Sequence, residues 1–155
     1  MDIVDLITPA SVIANFRVAN KKQALQELAK RAAIVTGQPE KLIFDVLSER
    51  ERLGTTGVGM GIAIPHGKLA GVERMTGVFA RLERPIDFEA IDDQPVDLIF
   101  LLLAPEGAGT EHLKALARVS RLLRDRAICA KLRGTDNAAA LYSLLTETSE
   151  SSHAA

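Results

Sequence analysis

Cysteine and the large aromatic side chains are scarce in this sequence. The 155 residues include one cysteine, no tryptophan and one tyrosine. With Cys129 alone, an internal disulfide is impossible, and that composition is typical of a reducing compartment. The apolar neighbours Ile128 and Leu132 indicate that Cys129 is a buried side chain rather than a reactive thiol.

An excess of charge and a long apolar run are also missing. The 19 Lys and Arg residues balance 20 Asp and Glu residues, so no basic surface for nucleic acid or an anionic membrane is indicated. No segment reaches the roughly 18 apolar residues of a membrane helix. The acidic start MDIVDLITPA lacks the basic region of a secretory signal. We therefore expect a cytoplasmic protein with no nucleic-acid partner and no membrane insertion.

The apolar residues that are present, 47% of the chain, suit one domain, which we expect over residues 1–147, followed by a polar, disordered tail over 148–155. Asn20 and Gly37 have the residue types that begin and end a first helix. Further elements are expected as helices over 39–53 and from Thr110, Asp125 and Asp136, and as strands near 14–18 and over 62–64, 78–82 and 96–104.

The strand predictions decide the fold class. The stretch VDLIFLLLA over 96–104 is almost entirely apolar, so we expect a central strand covered on both faces. Two strands follow each other between 78 and 104 with no helix between them, which argues against a regular βαβ repeat. The pattern therefore predicts an α/β domain with a mixed, layered arrangement.

The glycine-rich stretch GMGIAIPHGK over 59–68 resembles a phosphate loop only superficially. A Walker loop needs four residues between its glycines, but five separate Gly61 from Gly67, and Leu69 stands where Ser or Thr is required. The dinucleotide pattern G-x-G-x-x-G fails at Ile62. Nucleotide binding is therefore not expected.

His66 is the first candidate for chemistry. It follows Pro65, which cannot donate to a strand ladder, so we expect the histidine at the end of a strand, where pairing stops or the strand lies at an edge of the sheet. Gly67 has no side chain and is expected to leave the backbone accessible, while Lys68 adds a positive charge that suits an anion. A neutral imidazole is a competent nucleophile near pH 7. The alternative is a turn histidine with no role.

His112 is the second candidate. It lies in the first turn of a predicted helix, where the helix dipole disfavours a charged imidazole and offers amides to an anion. The loop 105–109 joins the central strand to this helix, so His66 and His112 are both expected at carboxyl ends of strands. The alternative is a solvated residue of the first helical turn. The third histidine, His153, lies in the expected tail and is given no role.

Arg50 is the third candidate. It follows Ile43 by seven residues and Val46 by four, so it lies on the apolar stripe of its helix and faces the domain. A guanidinium on such a face needs a partner or a ligand. The functional interpretation is an anion clamp near His66. The alternatives are an ion pair with Asp92 or Asp93, or a side chain whose charged end reaches solvent.

Three segments together resemble a known family. They are RERLGTTGVGMGIAIPHGK (Arg50 to Lys68), FEAIDDQPVDLIFLLLAPEG (Phe88 to Gly107) and TEHLKAL (Thr110 to Leu116). They are similar to the enzyme IIA domains of the mannitol/fructose class of the bacterial phosphotransferase system, and most similar to its nitrogen-related branch. The resemblance covers roughly residues 5–147. It implies a mixed β-sheet flanked by helices on both sides.

The resemblance also implies roles and partners. His66 matches the histidine that takes a phosphoryl group from a histidine phosphocarrier protein, His112 the histidine that supports that group, and Arg50 the active-site arginine. Regulatory targets such as potassium transport or sensor-kinase components, and an output in nitrogen metabolism, are implied for this branch. No cofactor and no metal is expected, because a phosphohistidine donor is already activated.

Other interpretations remain open at this point. A sugar-specific (fructose or mannitol) enzyme IIA and a binding module that no longer transfers phosphate are both compatible with the sequence. A two-histidine metal site lacks a third ligand at a recognisable spacing. The target, the oligomeric state and the acceptor that fixes the His66 tautomer are not determined by the sequence.

Position 60 departs from the family. Many relatives have asparagine there, and Met60 has no donor to offer a loop or a phosphoryl oxygen, so we expect it to alter the loop and the transfer rate. An apolar partner surface around His66 is expected to include Met60, Ile62 and Leu69.

Overall fold

The computed structural model describes the backbone of residues 1–154 and the side chains of residues 1–147. The disordered tail predicted for 148–155, with His153, lies outside the fully described residues and stays a prediction. In the part of the chain that the structure describes, every helix is too short or too polar to cross a membrane.

A six-stranded mixed sheet forms the centre of the fold. Its strands are β1 (Val12–Phe16), β2 (Gly57–Gly59), β3 (Ile62–Ala63), β4 (His66–Leu69), β5 (Thr76–Ile86) and β6 (Val96–Pro105). The order is β1-β5-β6-β3-β2, and β4 pairs with β6 beyond the end of β3. β5 runs antiparallel to β6, whereas β3 and β4 run parallel to it. The sheet is therefore mixed, and the fold implied by the resemblance is confirmed.

Helices cover both faces of this sheet. They are α1 (Lys21–Thr36), α2 (Glu40–Leu53), α3 (Thr110–Arg124), α4 (Arg126–Arg133) and α5 (Ala138–Ala154). On the central strand β6, Ile99 and Leu101 pack against α1 and α2, whereas Phe100 and Leu102 pack against the later helices. All four side chains are fully buried, because alternate residues of a strand point to opposite faces. The prediction of a strand covered on both faces is confirmed.

Several helix ends are where the sequence placed them. The Asn20 side chain accepts a hydrogen bond from the Gln23 amide, and Gly37 ends α1 with a φ of 75°. The Asp125 carboxylate accepts from the amides of Ala127 and Ile128 at the start of α4. These short polar side chains and the left-handed glycine satisfy groups that the helix itself leaves unpaired.

Two other caps differ from the prediction by one residue: Thr110 was predicted one residue too late for α3, and Asp136 one residue too early for α5. Gly109, with a φ of 54°, is the N-cap of α3, so Thr110 is the first helical residue. The chain turns at Gly109 because glycine adopts the left-handed region without strain. At α5, the Asn137 side chain accepts from the Ala140 amide, so Asn137 rather than Asp136 caps the helix.

Candidate functional site

His66 begins a strand rather than ending one. It is the first residue of β4 and lies opposite Leu102 of β6. Pro65 has no amide hydrogen, but its carbonyl accepts from the Leu102 amide at 2.9 Å, so the contact with β6 continues across the break between β3 and β4. Pairing therefore does not stop at Pro65, because a proline removes a donor and keeps its acceptor. The other expected arrangement is found instead, since β4 lies at an edge and pairs with β6 on one side.

The two ring nitrogens of His66 have different partners. Nδ1 lies 2.8 Å from the carbonyl oxygen of Ile64, which can only accept, so Nδ1 carries the proton. Nε2 then holds a lone pair, and it accepts from Nε of Arg50 at 3.4 Å. The carbonyl of Ile64 is the acceptor that fixes the tautomer, which the sequence left undetermined.

The surroundings favour the neutral form of His66. Burial is the largest cause of a lowered pKa, and the positive charge of Arg50 lowers the pKa further. The hydrogen bond to the Ile64 carbonyl and the negative charge of Glu51 act in the opposite direction, but the pKa remains below its ordinary value of 6.5. A half-buried, neutral imidazole whose Nε2 lone pair has only the long contact with Arg50 is chemically able to act as a nucleophile.

Arg50 lies in the last turn of α2 and is half-buried, as its place on the apolar stripe indicated. Its Nη1 donates to the carbonyl oxygen of Gly54 at 2.8 Å while its Nε faces His66. No ion pair with Asp92 or Asp93 is found for it within the described side chains. Asp92 instead accepts from the backbone amides of Met60 and Gln94.

Gly67 has a packing role that the sequence did not reveal. A Cβ at this position would lie 2.5 Å from Cγ1 of Val46 on α2. The space beside the backbone is therefore filled by Val46 and not open to a ligand, contrary to expectation. Because Arg50 follows Val46 by one helical turn, the close approach of α2 to β4 brings the guanidinium to His66.

His112 lies next to His66, as expected. The two ring centroids are 5.5 Å apart, and the ring planes meet at 73°. His112 is only 9% exposed, so the alternative of a solvated first-turn residue was wrong. Burial is the largest cause of its lowered pKa, and the positive charges of a protonated His66 and of Lys68 act in the same direction. Its Nε2 is buried and has no hydrogen-bond partner in the described part of the chain.

A buried carboxylate behind Arg50 escaped the sequence analysis. The side chain of Glu51 is 6% exposed and forms an ion pair with Nζ of Lys21 at 2.9 Å. Its two oxygens also accept from the amide and the hydroxyl of Thr56. The partners lie 30 residues before it and five after it, so no local pattern in the sequence pointed to this cluster.

Met60 belongs to a tight turn. Met60 and Gly61 have φ angles of 58° and 81°, and they form the two-residue turn between β2 and β3. The Met60 amide donates to Asp92 Oδ2 at 2.9 Å, and its carbonyl accepts from Arg133 Nη2 at 2.8 Å. Asparagine tolerates a positive φ better than other residues with a side chain, so the asparagine that the family resemblance implies at this position would suit the turn without any contact to a phosphoryl group.

This turn lies far from the histidines. The carbonyl of Gly61 accepts from the Asp97 amide, whereas His66 lies opposite Leu102. Five residues of a strand span about 16 Å. The expected apolar partner surface was also wrong in part, because Ile62 and Leu69 are buried and only Met60, at this distant end, is exposed.

In the described residues, no three side chains of His, Cys, Asp or Glu gather into a group that could hold a metal ion. The site therefore consists of two neutral histidines in edge-to-face contact, one arginine and an exposed lysine. Such a set can offer one nucleophilic nitrogen and positive charge beside it.

The sequence matches known proteins over nearly its whole length. The family model for the phosphoenolpyruvate-dependent sugar phosphotransferase system, EIIA 2, matches residues 5–148. A nitrogen regulatory protein of Bradyrhizobium diazoefficiens is 61% identical over 145 residues, which are 94% of this chain and 95% of that protein.

Solved structures show the same fold. The crystal structure of the nitrogen regulatory protein IIA-Ntr from Neisseria meningitidis matches with a TM-score of 0.87 and 35% identity, over 93% of this chain and 99% of that chain. The mannitol IIA of Escherichia coli matches with a TM-score of 0.74 at 20% identity, over 89% of this chain and 97% of that chain, and thus shares the fold.

Proposed function

This chain belongs to the EIIA 2 family of the phosphoenolpyruvate-dependent sugar phosphotransferase system, and on that premise we propose that it is a regulatory phosphocarrier of the nitrogen-related phosphotransferase system. His66 accepts a phosphoryl group from a histidine phosphocarrier protein in the cytoplasm. The phosphorylation state of His66 then controls which target is bound, with components of potassium transport and sensor kinases of nitrogen metabolism as the target classes.

The tautomer of His66 is the observation that carries this proposal. A hydrogen bond from Nδ1 to the Ile64 carbonyl leaves the Nε2 lone pair directed to the side of Arg50. A histidine kept for structure alone has no need of a fixed free nitrogen next to a second buried histidine. We therefore assign Nε2 as the atom that attacks phosphorus.

The phosphoryl transfer between the two imidazoles needs no oxidant and no further proton donor. The Nε2 lone pair of His66 forms a bond to phosphorus while the N–P bond of the donor phosphohistidine breaks. The donor ring carries a proton on its other nitrogen, so it takes back the electron pair of that bond and leaves as a neutral imidazole. The ring of His66, which is protonated on Nδ1 and phosphorylated on Nε2, then has the charge of an imidazolium, and the negative phosphoryl oxygens offset that charge. Nδ1 of His66 keeps its proton throughout, held by the Ile64 carbonyl. Such in-line transfers depend mainly on position and on charge near the phosphoryl oxygens.

Arg50 is assigned as the anion clamp. Before transfer its Nε donates a hydrogen bond to Nε2 of His66 at 3.4 Å, which is longer than an ordinary hydrogen bond. An incoming phosphoryl group replaces that weak contact, and the guanidinium donors turn to the phosphoryl oxygens. The Gly54 carbonyl, 2.8 Å from Nη1, holds the guanidinium near the reacting nitrogen during this exchange.

His112 is assigned as the support of the phosphoryl group. Its unpartnered, buried Nε2 is a group that the unphosphorylated chain does not use. An unsatisfied buried polar atom destabilises a fold by about 1–3 kcal/mol, so its presence 5.5 Å from His66, ring to ring, favours a role in the phosphorylated state.

Two exposed leucines frame the docking surface that we propose for the donor. Leu53 is 82% exposed and follows Arg50 by three residues, and Leu113 is 67% exposed and follows His112 directly. Exposed leucines beside a charged pocket are suited to a partner that excludes water from the reacting atoms. Leu53 and Leu113 replace Ile62 and Leu69 in the expected partner surface.

The test is phosphoryl uptake from the phosphorylated histidine carrier by the purified protein. Wild type is compared with His66→Ala, His112→Ala and, as the matched control, His153→Ala. We expect an acid-labile, base-stable label in wild type and in His153→Ala, none in His66→Ala, and slow labelling in His112→Ala. Nitrogen-selective NMR of the labelled protein should place phosphorus on Nε2.

Two results would contradict the assignment. If the His66→Ala variant is still labelled, another residue must be the nucleophile. An unlabelled wild type, with a known enzyme IIA labelled in parallel, would leave a binding module that has the fold without the transfer.

A sugar-specific enzyme IIA is the second candidate, because the description of the matching family names sugar transport. It is separated from the regulatory function by growth. Deletion of a sugar-specific component would stop growth on fructose or mannitol, whereas we expect the deletion to alter potassium and nitrogen responses and to leave growth on both sugars intact.

A further inference from the structure

We propose that Glu51 is a positioning residue for the phosphoryl transfer: it holds Thr56, and Thr56 in turn holds the Ile64 peptide that fixes the proton of His66 on Nδ1. This inference rests on the proposed function of His66. It assigns to a residue outside the family motif of two histidines and one arginine a role in selecting the attacking nitrogen.

The first link is the burial of the Glu51 carboxylate. Its side chain is 6% exposed, and its ion-pair partner Lys21 is 16% exposed. The Nζ atom of Lys21 lies 4.8 Å from the centroid of the Phe88 ring and 3.6 Å from Oε1 of Glu89. A carboxylate enclosed in this way has little freedom to move, because leaving its partners would strand a buried charge.

The second link joins Glu51 to the loop after α2. One carboxylate oxygen accepts from the Thr56 amide at 3.0 Å, and the other accepts from the Thr56 hydroxyl. Because Thr56 donates both hydrogen bonds, its backbone and its side chain are both fixed relative to Glu51. Charge assistance makes such bonds stronger and shorter than neutral ones.

The third link reaches the histidine. The carbonyl of Thr56 accepts from the Ile64 amide at 2.9 Å, and the carbonyl of Ile64 accepts from Nδ1 of His66 at 2.8 Å. Ile64 lies between β3 and β4, where the regular ladder is interrupted by Pro65, so the bond to Thr56 supports its peptide there. The orientation of the Ile64 carbonyl therefore depends on the position of Thr56.

The chemical consequence concerns which nitrogen is free. The ring nitrogen that carries the proton is determined by the hydrogen bond available to the other. If Thr56 shifts and the Ile64 carbonyl turns away, Nδ1 loses its acceptor and the proton distributes over both nitrogens. A protonated Nε2 cannot attack, so the rate of transfer falls even though His66, Arg50 and His112 are all present.

The experiment pairs a tautomer measurement with transfer kinetics. Full-length protein with ¹⁵N-labelled histidine is compared as wild type, Glu51→Gln, Thr56→Val and Thr56→Ser. Thr56→Val removes the hydroxyl and keeps the shape, whereas Thr56→Ser keeps the hydroxyl. The control is Glu49→Gln, because Glu49 is an exposed carboxylate of the same helix that pairs with Arg52.

We expect the ring ¹⁵N shifts of His66 in wild type, Thr56→Ser and Glu49→Gln to show the proton on Nδ1. In Glu51→Gln and Thr56→Val the shifts should move toward a mixture of tautomers. The kcat of phosphoryl uptake should fall about tenfold in these two variants, because fewer molecules have a free Nε2 and the remaining imidazoles are less well placed for attack. KM for the donor should stay within about twofold, because the docking surface is untouched.

A purely structural role predicts something else. If Glu51→Gln and Thr56→Val lose stability but keep the wild-type tautomer and kcat, the positioning role is refuted. If Glu51→Gln does not fold, the pair Thr56→Val and Thr56→Ser decides. Because the tautomer is read without phosphorylation, an inactive wild type would refute the proposed function and leave the tautomer comparison to decide the role of Glu51.

Discussion

The two ends of the glycine-rich segment over 59–68 have different places and different contacts in the fold. At one end Met60 and Gly61 form a tight turn braced by Asp92 and Arg133. At the other end His66 offers a free nitrogen to Arg50. About 16 Å of strand separates them. The difference teaches that one continuous motif can serve two purposes, a scaffold at the turn and chemistry at the histidine, and each end can be altered separately.

The largest expected effect is at the histidine end. Arg50→Ala should lower the rate of phosphoryl uptake about 10²–10³-fold, because removal of one charged donor at a transition state has that effect. The measurement is single-turnover labelling by the phosphorylated carrier. Arg52→Ala is the matched control, since Arg52 lies on the same helix with 75% of its side chain exposed. An equal loss of uptake rate in both variants would contradict a specific role of Arg50 in the site.

At the turn end, Gly61→Ala should lower the free energy of unfolding by about 2–3 kcal/mol. An alanine at a φ of 81° is strained by about 1–2 kcal/mol. Its Cβ would lie 2.6 Å from Arg133 Nη2 and push that group away from the Met60 carbonyl, so a hydrogen bond worth about 1 kcal/mol is lost as well. Urea denaturation measures the change. Gly107→Ala, where no atom lies within 4 Å of the added Cβ, is the control. Folded Gly61→Ala that transfers slowly would contradict the separation of the two ends.

Gly67→Ala is the matched change at the histidine end. The added Cβ would push against Val46 and move α2, so uptake should fall about tenfold as Arg50 leaves Nε2 of His66. Val46→Ala in the same chain should restore most of the rate by removing the contact. If the double variant stays as slow as Gly67→Ala alone, the glycine is needed for a reason other than helix packing.

Met60→Asn is a change at the turn end that should stabilise the fold. Asparagine adopts a positive φ more readily than methionine, so unfolding should require about 0.5–1 kcal/mol more. Transfer kinetics should not change, because the turn is remote from His66. A faster transfer in Met60→Asn would restore the interpretation in which this position contacts the phosphoryl group.

The smallest expected difference is in the pH titration. Burial, with the charge of Arg50, lowers the pKa of His66 below 6.5, so NMR titration of the ring should show its midpoint below that value. The unfolded chain then binds more protons in that range, so the contribution of His66 to stability is present above pH 6.5 and lost as pH falls through the folded pKa. His66→Gln should flatten this dependence. A midpoint at or above 6.5 would contradict the buried, neutral histidine.

The sequence predicted well wherever the pattern is local. The apolar run of β6, the stripes of α1 and α2, and the caps at Asn20 and Asp125 depend on neighbouring residues, and the structure agrees with them. The short strands β2 and β4 were not predicted, because three or four residues rich in glycine carry no recognisable alternation.

The site was predicted in its members and not in its support. His66, His112 and Arg50 were found from odd placements and from the family resemblance, and the structure brings them together. The Ile64 carbonyl, the Glu51 cluster and the contact of Gly67 with Val46 were missed, because each joins parts of the chain whose proximity only the fold determines. Reactive groups leave a trace in sequence, whereas the groups that orient them do so much less.

The unpartnered Nε2 of His112 has a consequence for energy transfer between proteins. If a phosphoryl group on His66 satisfies that atom, the phosphorylated fold recovers part of the 1–3 kcal/mol or so that the free chain gives up. The same free energy then appears as a lower group-transfer potential of the phosphohistidine, since the two are linked. The equilibrium between this chain and a phosphorylated donor protein would then lie further toward the phosphorylated form of this chain than it would without that contact.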